Sequence, residues 1–501
     1  MAKDCLMTGG GFNLFLNSKR EATYIMRICQ SIIGGTPVAS PLAVIEKRYP
    51  ASGEVIAHIE PATAAMLDTA VATAQAAQKA WAATDAFDRA HILNRAAALM
   101  REANDELAAL EVQDVGKLYS EAVCGDVPSG TDAFTYFAAA ITTQQGDFNK
   151  WSDAIGYSRR VPLGVCAGIG AWNYPMQIAC WKAAPALAAG NAFILKPSEE
   201  TPLVAHRVGE LLAAAGLPDG LFQIIHGDHE IGAAICAHPG IAKISLTGGV
   251  DTGRLVMAQS AASLKKITLE LGGKSALIIF DDADFDLAVE TALAANFYTA
   301  GEVCSNATRV FVQDCIAADF IDAVTAKAAA LTVGDPMAAS SQMGAMISQA
   351  HLDRVLDYVQ TGVAEGATIA TGGQQIYPDG CAGGYFMKPT IMTGCHDAMR
   401  IVREEIFGPV MSVLTFDSED AAIRRANASA FGLGAGVMTR DLGRAHRVAD
   451  ALDSGNIWVN SYNMLPPGLP FGGAKQSGFG RENGLDTLTA YSEVKSVYIQ
   501  L

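Results

Sequence analysis

Apolar residues recur at helical spacing in the first part of the chain. Between residues 62 and 124 they fall three or four positions apart, a pattern typical of helices that bury one face. One predicted helix carries its apolar face on Met66, Ala70, Val71, Ala74, Ala77 and Trp81, and the next on Ile92, Leu93, Ala96, Leu99 and Met100. This part of the chain is therefore predicted to supply packing helices.

From residue 164 onward the pattern changes to short β-rich runs separated by helical stretches. The predicted strands cover 164–169, 192–195, 222–225, 243–246 and 267–269. Strands that alternate with helices indicate a parallel, doubly wound sheet. A second αβ series begins near residue 276, with strands at 277–280 and 310–312 on either side of a helix at 285–296. The predicted fold class is α/β, with a Rossmann-like domain followed by a second α/β domain.

Two segments far apart in the chain have the character of an exposed β arm. Residues 141–160 are polar, and the segment 485–501 ends in the strand-like run Val-Tyr-Ile-Gln-Leu. Arms of this kind commonly join subunits, so we expect a homo-oligomer, either a dimer or a dimer of dimers. Residues 1–40 look foreign to the rest of the sequence and are predicted to be an N-terminal extension without an assigned role.

Composition narrows the class of protein. Half of the 501 residues are hydrophobic, only 18% are charged, and the formal net charge is −16. This balance describes a globular protein without a general affinity for nucleic acid or anionic membranes, and it mildly favours a cationic substrate. The chain has no apolar run of about 18 residues and no secretory signal pattern, which predicts a cytoplasmic location. Its ten cysteines contain no Cys-x-x-Cys pair, which argues against a zinc site.

A glutamate and a cysteine could together form and hydrolyse a thioester. Glu270 lies in the run Leu-Glu-Leu-Gly-Gly-Lys at 269–274, just after a predicted strand, and Cys304 closes the run Gly-Glu-Val-Cys. A thiolate can attack a carbonyl carbon and become acylated, and release of the acyl group needs water activated by a base. Taken singly, the cysteine is more readily interpreted as buried and inert, and the glutamate as a loop carboxylate or a cap.

Asn173 lies just beyond another predicted strand end, in the run Gly-Ala-Trp-Asn-Tyr-Pro at 170–175. Its amide NH₂ group could donate to an oxyanion that develops during acyl transfer. The alternative is a turn-forming asparagine ahead of a proline-containing loop. Glu405, in Glu-Ile-Phe-Gly-Pro at 405–409, is likewise an ordinary solvated charge when considered alone.

Two further strand exits carry residues suited to a dinucleotide. Lys196, Pro197, Ser198 and Glu199 follow the strand at 192–195, where a lysine and an acid can hold a ribose. The acid favours NAD over NADP, because a carboxylate accepts from the 2′-hydroxyl and repels a 2′-phosphate. Gly248 and Gly249, ahead of Thr252, would let backbone amides approach a diphosphate. An ordinary strand-to-helix loop remains the alternative for residues 196–199, and the chain lacks a clean Gly-x-Gly-x-x-Gly.

Together these segments resemble the aldehyde dehydrogenase superfamily from about Tyr49 to Leu501. The resemblance implies Cys304 as nucleophile, Glu270 as general base, and Asn173 with the Cys304 backbone NH as the oxyanion hole. It implies Glu405 on the nicotinamide ribose. The other residues that it assigns to the cofactor are Gly170, Ala171, Trp172, Lys196, Pro197, Ser198, Glu199, Gly248, Gly249, Thr252, Gly272 and Phe407.

Within the superfamily the chain is most similar to betaine aldehyde dehydrogenases, through the runs at 168–175, 180–185, 296–298 and 473–478. A quaternary ammonium group cannot donate hydrogen bonds, so its recognition depends on aromatic faces. Alignment with the aromatic box of that group points to Tyr174, Trp181, Tyr298 and Phe471, for which core packing is the alternative.

The same resemblance extends to a proton relay and a cation. It assigns Lys182 and Glu482 to a charge relay and makes K⁺ a plausible additional ligand. Three positions depart from the family pattern: Glu302 replaces a usual Gln, Ala307 a common Gly, and Gly249 a frequent Ser. None of these departures removes a catalytic group.

The resemblance also implies a division of the chain into parts. An NAD-binding domain is expected over 41–140 and 161–269, a catalytic domain over 270–455, and a return segment lining the active site over 456–484. The oligomerisation arm comprises 141–160 and 485–501.

The expected activity is NAD-dependent oxidation of an aldehyde, with betaine aldehyde as the first choice of substrate. Other ω-aminoaldehydes, namely 4-trimethylaminobutyraldehyde and 4-aminobutyraldehyde, stay open, and NADP is the less favoured cofactor. Transfer of the acyl group to coenzyme A is disfavoured by the presence of Glu270, because relatives with that activity lack this base. A non-catalytic relative is disfavoured by the intact Cys304, Glu270 and Asn173.

Overall fold

The computed structural model describes residues 26–501. The residues before them include most of the predicted N-terminal extension, which lies outside the described part. The remainder of that extension belongs to the fold, because strands within 27–38 pair with two of the sheets. Up to the first parallel sheet, the strands are β1 (Arg27–Cys29), β2 (Ser31–Ile33), β3 (Thr36–Val38), β4 (Ile45–Arg48), β5 (Val55–Ile59), β6 (Phe148–Lys150) and β7 (Ala154–Pro162).

The helical periodicity near the start of the described chain corresponds to successive helices. They are α1 (Ala64–Ala83), α2 (Ala86–Glu102), α3 (Asn104–Val115), the short α4 (Tyr119–Glu121), a π-helical turn (Ala122–Asp126) and α5 (Val127–Ile141). Thr63 and Asp85 accept hydrogen bonds at the first turns of α1 and α2, and Gly116, at φ 84°, ends α3. These helices pack beside the first large sheet, as the apolar faces predict.

The first large sheet is doubly wound. Its elements after β7 are β8 (Val165–Ile169), α6 (Pro175–Ala188), β9 (Ala192–Lys196), α7 (Leu203–Ala214), β10 (Phe222–Ile224), α8 (His229–Ala237), β11 (Lys243–Gly248), α9 (Val250–Ser260) and β12 (Lys266–Leu271). The strand order is β24-β12-β11-β8-β9-β10-β2-β3, where β24 is the late strand Gly478–Phe479, and β8 to β12 are parallel. The order reverses between β8 and β11, and ligands bind at the carboxyl ends of strands at such a point.

The second large sheet repeats this plan. Its elements, with those that connect them, are β13 (Ala276–Ile279), α10 (Phe285–Phe297), β14 (Arg309–Gln313), α11 (Asp314–Ala330), α12 (Gln349–Ala364), β15 (Thr368–Thr371), β16 (Gln375–Ile376), β17 (Phe386–Met387), β18 (Thr390–Thr393), α13 (Arg400–Arg403), β19 (Val410–Phe416), α14 (Glu419–Asn427), β20 (Phe431–Gly432), β21 (Gly434–Met438), α15 (Leu442–Ala451) and β22 (Asn456–Val459). The order is β15-β18-β19-β14-β13-β21-β22, and only β15 runs antiparallel. Each large sheet lies in its own cluster of buried apolar residues.

The last elements return to the first sheet and then leave it. They are β23 (Ala474–Lys475), β24 (Gly478–Phe479), α16 (Gly484–Ala490) and β25 (Ser492–Gln500). Strand β24 pairs with β12 beside Glu270, and β25 pairs antiparallel with β7 over the whole of its length. Large apolar side chains of this last pair and its surroundings are exposed: Phe148, Trp151, Tyr157, Val494, Tyr498, Ile499 and Leu501. The predicted pairing of the two segments is present, while their role in assembly stays a prediction.

Among residues 26–501, no helix combines the length and the apolar character that a membrane span requires.

Candidate active site

A cavity of about 480 Å³ lies at the carboxyl ends of β8, β11 and β12 and extends to residues of the second large sheet. This size is in the range of sites for small molecules, about 300–1,000 Å³. The predicted site residues that line it are Ala171, Trp172, Asn173, Gly248, Gly249, Thr252, Glu270, Gly272, Cys304, Glu405 and Phe407. The fold thus brings the predicted nucleophile, base and oxyanion donor to one cavity.

Cys304 is held by a strained turn that precedes β14. Thr299 and Ala300 both have φ 49°, and Gly301 has φ 74°. A side chain at Gly301 would overlap the backbone of Gly408, and a Cβ atom at Gly273 would lie 2.7 Å from the Cys304 carbonyl oxygen. Glycines are therefore needed for this loop to pack against its two neighbours.

The surroundings of Cys304 favour its neutral thiol. Burial and the nearby carboxylates Glu405 and Glu270 raise its pKa to about 12, although the backbone NH groups of Ser305 and Cys304 itself act in the opposite direction. Formation of the thiolate therefore depends on a change in charge around the sulfur.

Glu270 belongs to strand β12, whereas the sequence placed it just after a strand that ended at residue 269. The strand continues because Glu270 pairs with Thr247 of β11 on one side and with Gly478 of β24 on the other. Both carboxylate oxygens are buried, and neither has a hydrogen-bond partner among residues 26–501. Burial and the negative charge of Glu482 raise the pKa of Glu270 well above its ordinary value.

Asn173 is buried directly after β8, where its side chain is oriented by the chain segment of the nucleophile. Its Nδ2 donates to the Glu302 carbonyl oxygen over 2.8 Å. An amide NH₂ group has two hydrogens, so one remains for a ligand in the cavity. This geometry suits the predicted oxyanion donor.

Lys182 and Glu482 form a buried pair outside the lining of the cavity. The Lys182 Nζ lies 2.7 Å from Glu482 Oε1 and 2.9 Å from Ser245 Oγ, and the Ser245 hydroxyl lies 2.9 Å from the same carboxylate oxygen. The charges of both Lys182 and Glu482 act on the pKa of Glu270. The pair therefore lies next to the predicted base, and Ser245 is a member that sequence reasoning missed.

The cavity fits a dinucleotide at the start of α9. Gly249 caps this helix without a side-chain hydrogen bond, and a Cβ atom there would meet no heavy atom within 4 Å. Free NH groups in the first turn of a helix are suited to a diphosphate. A Cβ atom at Gly272 would overlap the Glu405 carboxylate, so Gly272 lets this carboxylate lie in the cavity.

Glu405 is a half-buried acceptor whose carboxylate lies against Gly272 and Gly273, just after β12. Its Oε1 accepts from the Gly273 backbone NH over 3.0 Å. Burial raises the pKa of Glu405 to about 7, while this hydrogen bond and the charge of Lys274 act to lower it. A carboxylate held in this way can accept hydrogen bonds from ribose hydroxyls.

Residues 196–199 and Gly170 lie at neighbouring strand ends but not in the lining of the cavity. The Gly170 backbone NH donates to the Lys196 carbonyl oxygen over 2.9 Å, which joins the exits of β8 and β9. Lys196 Nζ lies 3.3 Å from Glu199 Oε2. The predicted contact of residues 196–199 with a ribose stays a prediction.

The four predicted aromatic residues lie outside the cavity lining, and two of them form a ring pair. Trp181 and Phe471 meet edge to face, with ring centroids 5.8 Å apart. Tyr174 bonds through its hydroxyl to Thr299 Oγ1 over 3.1 Å, and Asp126 and Glu121 influence the pKa values of both Tyr174 and Tyr298. One face of Tyr174 already carries a cation, because the Lys117 Nζ lies 3.6 Å from the ring centroid.

Sequence reasoning missed the group of side chains around Lys117. This buried ammonium contacts Asp126 and lies 3.8 Å from Glu111 Oε1. Glu121 accepts from the backbone NH of Thr299 over 2.9 Å and so supports the strained turn ahead of Cys304. The spacing of these charges within residues 111–126 resembles that of ordinary surface helices, so it carried no signal.

His351 and Arg354 of α12 also line the cavity and were not predicted. The His351 Nε2 lies 2.7 Å from the Phe407 carbonyl oxygen, and the Trp172 ring lies edge-on to both His351 and Phe407, at 5.2 Å from each. These contacts form one wall of the cavity.

Comparison with known proteins agrees with this geometry. The aldehyde dehydrogenase family profile matches residues 38–497. A betaine aldehyde dehydrogenase of Rhizobium etli (strain CIAT 652) is 54% identical over 458 residues, covering 91% of this chain and 94% of the relative. A betaine aldehyde dehydrogenase of Agrobacterium fabrum is 52% identical over 456 residues, covering 91% and 92%.

Solved structures have the same fold. An NAD⁺ complex of aldehyde dehydrogenase from Bacillus cereus superposes with a TM-score of 0.92 at 39% identity and covers 94% of this chain and 96% of its own. Betaine aldehyde dehydrogenase from Staphylococcus aureus, in complex with NAD⁺, gives a TM-score of 0.92 at 37% identity with coverages of 94% and 95%. The chain therefore belongs to the aldehyde dehydrogenase family.

Proposed function

We propose that this aldehyde dehydrogenase uses NAD⁺ to oxidise betaine aldehyde to glycine betaine, through an acyl thioester on Cys304. The observation that carries the proposal is the convergence of Cys304, Glu270 and Asn173 on one cavity beside the start of α9. A nucleophile, a base and an oxyanion donor are the three groups that oxidative acyl transfer to water needs.

Cys304 attacks the aldehyde carbon, and the carbonyl oxygen becomes an alkoxide. The free NH of Asn173 Nδ2 and the backbone NH of Cys304 donate to this oxygen. Because Glu302 already holds the Asn173 amide, little reorganisation is needed when the negative charge develops. Collapse of the alkoxide would pass the hydride of the former aldehyde carbon to the acceptor that NAD⁺ supplies and leave the acyl group on the Cys304 sulfur.

The residues that would hold NAD⁺ lie at three places. The first turn of α9, with Gly249 and Thr252, would hold the diphosphate, and Glu405 would accept from the nicotinamide ribose. Lys196 and Glu199 would bind the adenosine ribose, and the exposed Glu199 carboxylate favours NAD⁺ over NADP⁺. When bound, NAD⁺ supplies the hydride acceptor and a positive charge that favours the Cys304 thiolate.

Glu270 then removes a proton from the water that hydrolyses the thioester. Burial and the charge of Glu482 raise the pKa of Glu270, which favours its protonated form, so Glu270 must lose its proton before it can act as a base. The hydrogen-bonded group of Lys182, Ser245 and Glu482 lies next to it and offers a route for the proton. We therefore infer that this group returns Glu270 to its basic form.

Betaine aldehyde is the favoured substrate for two reasons. The relatives from Rhizobium and Agrobacterium carry its name. Trp181, Phe471, Tyr298 and the face of Tyr174 that Lys117 leaves uncovered are aromatic surfaces suited to a quaternary ammonium group. The acidic net charge of −16 also favours a cation. We further propose a cytoplasmic homo-oligomer joined through β7 and β25, with K⁺ as an additional ligand.

The experiment that tests the substrate is a comparison of kcat/KM across aldehydes, since this ratio measures differential binding of the transition state. The panel contains betaine aldehyde, 4-trimethylaminobutyraldehyde, 4-aminobutyraldehyde and a neutral aliphatic aldehyde, each with NAD⁺ and NADP⁺. The highest value is expected for betaine aldehyde with NAD⁺. Equal efficiency with the neutral aldehyde would refute cation recognition, and formation of a coenzyme A thioester as the main product would refute hydrolysis.

The assignment of Asn173 has its own test. Loss of one oxyanion donor typically costs about 100- to 1,000-fold in rate. The variant Asn173→Ala should remain folded and lose kcat by about this factor. Full turnover by the folded variant would show that the oxyanion is held elsewhere.

A further inference from the structure

Glu302 is fully buried two residues before the nucleophile and has few partners for a charge. Its Oε1 accepts from the Ile347 backbone NH over 3.0 Å, and its Oε2 has no hydrogen-bond partner. Burial of a carboxylate with a single neutral donor has a large desolvation free energy, whereas burial of a protonated carboxyl costs much less. Burial accordingly raises the pKa of Glu302 well above its ordinary value.

The charged and titratable groups that bear on Glu302 come from two elements. Lys117, ahead of α4, acts to lower its pKa but already contacts Asp126. His351 of α12 lies with Nε2 3.7 Å from Glu302 Oε1. Burial lowers the pKa of His351 to about 4, so this imidazole is neutral near pH 7 and forms no ion pair with Glu302.

The contact of His351 with Phe407 shows which ring nitrogen of His351 carries the hydrogen. The Nε2 lies 2.7 Å from the Phe407 carbonyl oxygen, which can only accept, so Nε2 carries the hydrogen. Phe407 has φ 62°, a backbone conformation that is strained for a residue with a side chain and needs support from its surroundings. The bond from His351 is one such support for a residue that lines the cavity.

Glu302 therefore connects two parts of the site. Its backbone carbonyl orients Asn173 over 2.8 Å, and its side chain faces His351, which holds Phe407. An ionised Glu302 would compete with Phe407 for the hydrogen on His351 Nε2. The Gln common at this position in the family resembles the protonated carboxyl in shape and in lack of charge.

We propose that Glu302 is a positioning residue that works in its protonated form, holding the Asn173 amide through its backbone and the His351–Phe407 wall through its neutral side chain. Ionisation of Glu302 disturbs this wall and lowers activity. This inference rests on the proposed roles of Asn173 and Cys304.

The test compares Glu302→Gln and Glu302→Ala with the parent enzyme over a range from neutral to alkaline pH. Glu302→Gln should keep kcat within about twofold at pH 7 and should lose less activity than the parent at alkaline pH, because it cannot ionise. Glu302→Ala should fold but lose kcat by about 100-fold, the cost of a small misplacement of catalytic groups. Glu102→Gln, at an exposed position, is the matched control and should follow the parent.

Several outcomes would overturn the proposal. They are a Glu302→Gln profile with the same alkaline loss as the parent, a Glu302→Gln variant inactive at every pH, or full kcat in folded Glu302→Ala. The same alkaline loss of activity in Glu302→Gln would show that another group titrates. Either of the other two results would show that the neutral side chain of Glu302 does not position the site.

A second readout does not depend on the substrate. The rate of alkylation of Cys304 by iodoacetamide, corrected with Cys304→Ser for the other cysteines, is measured against pH. It should be equal in parent and Glu302→Gln at pH 7, and faster in Glu302→Gln at alkaline pH, where an ionised Glu302 would oppose the thiolate. Identical alkylation profiles would contradict the proposal even if the enzyme proved to prefer another aldehyde.

Discussion

Two glutamates line the same cavity and are held differently. Glu405 accepts a hydrogen bond from the Gly273 backbone and has Lys274 nearby, and burial raises its pKa to about 7. Within residues 26–501, Glu270 has no hydrogen-bond partner on either oxygen, and the negative charge of Glu482 raises its pKa further. The site therefore contains one carboxyl group fixed in place and one left free.

The difference suits the two carboxyl groups to different roles. A carboxylate that binds a ribose benefits from a fixed position, since its hydrogen bonds then cost little ordering on binding. A general base must gain and lose a proton, which requires a pKa near or above the working pH and unoccupied oxygens. On this comparison, Glu405 is expected to affect cofactor binding and Glu270 the chemical step.

The largest expected effect is that of Glu270→Gln. General base catalysis contributes about 100- to 10,000-fold, so steady-state kcat should fall by a factor in this range. Acylation does not need the base, so the first turnover should still release a burst of NADH equal to the enzyme present. Rapid-mixing measurement of NADH checks this, with Glu405→Gln as the comparison, and loss of the burst would place Glu270 before hydride transfer.

A smaller effect is expected from Gly272→Ala, which moves Glu405 without removing it. The new methyl group would overlap the Glu405 carboxylate, and overpacking of this kind costs about 1–3 kcal/mol. The KM for NAD⁺ should rise by about 5- to 150-fold. Gly209→Ala in α7 is the matched control, because a Cβ atom there would meet only Phe222 and Ile224, at ordinary distances of 3.4–3.6 Å; an unchanged KM in Gly272→Ala would remove Glu405 from the cofactor site.

The pH dependence of cofactor binding should distinguish the two glutamates further. Glu405 is protonated below about pH 7 and ionised above it. An ionised acceptor makes stronger hydrogen bonds and attracts the cationic nicotinamide, so the KM for NAD⁺ should fall severalfold between pH 6 and pH 8. Glu405→Gln should have a higher KM for NAD⁺ that does not change between pH 6 and pH 8. If the KM of this variant changed with pH as it does in the parent, another group would be responsible for the titration.

The smallest expected effect is on stability. The raised pKa of Glu405 means that the folded state binds more protons than the unfolded state between about pH 4.5 and pH 7, so its contribution to stability falls as pH rises through that window. Glu405→Gln cannot ionise, so it does not lose stability in this way as the pH rises. The variant should therefore gain thermal stability over the parent at pH 8 relative to pH 5, and an equal difference in Tm at both pH values would contradict the raised pKa.

Much of the fold could be predicted because its signals are local. The predicted strands recur within a few residues of those observed, since buried parallel strands are short apolar runs and the helices between them have a 3.6-residue period. The error at Glu270 has a physical cause. A charged residue reads as the end of a strand, but pairing with both β11 and β24 continues the ladder through it.

The aromatic residues show where prediction from sequence stops. Tyr174 was expected to offer a face to a cationic substrate, and one of its faces is covered by Lys117, which lies 57 positions earlier in the chain. The sequence around neither residue indicates that the other packs against it. The same holds for Glu121, which supports Thr299 from 178 positions away.

The sequence by itself determined the succession of strands and helices and the residues able to form and hydrolyse a thioester, because periodicity and short motifs act over neighbouring positions. The tertiary structure decided how those residues are held: which carboxyl group is fixed and which is free, which cation covers Tyr174, and how Glu302 joins Asn173 to His351. The physical reason is that burial and long-range contacts set the pKa values and orientations of these groups, and both arise only when distant segments pack together.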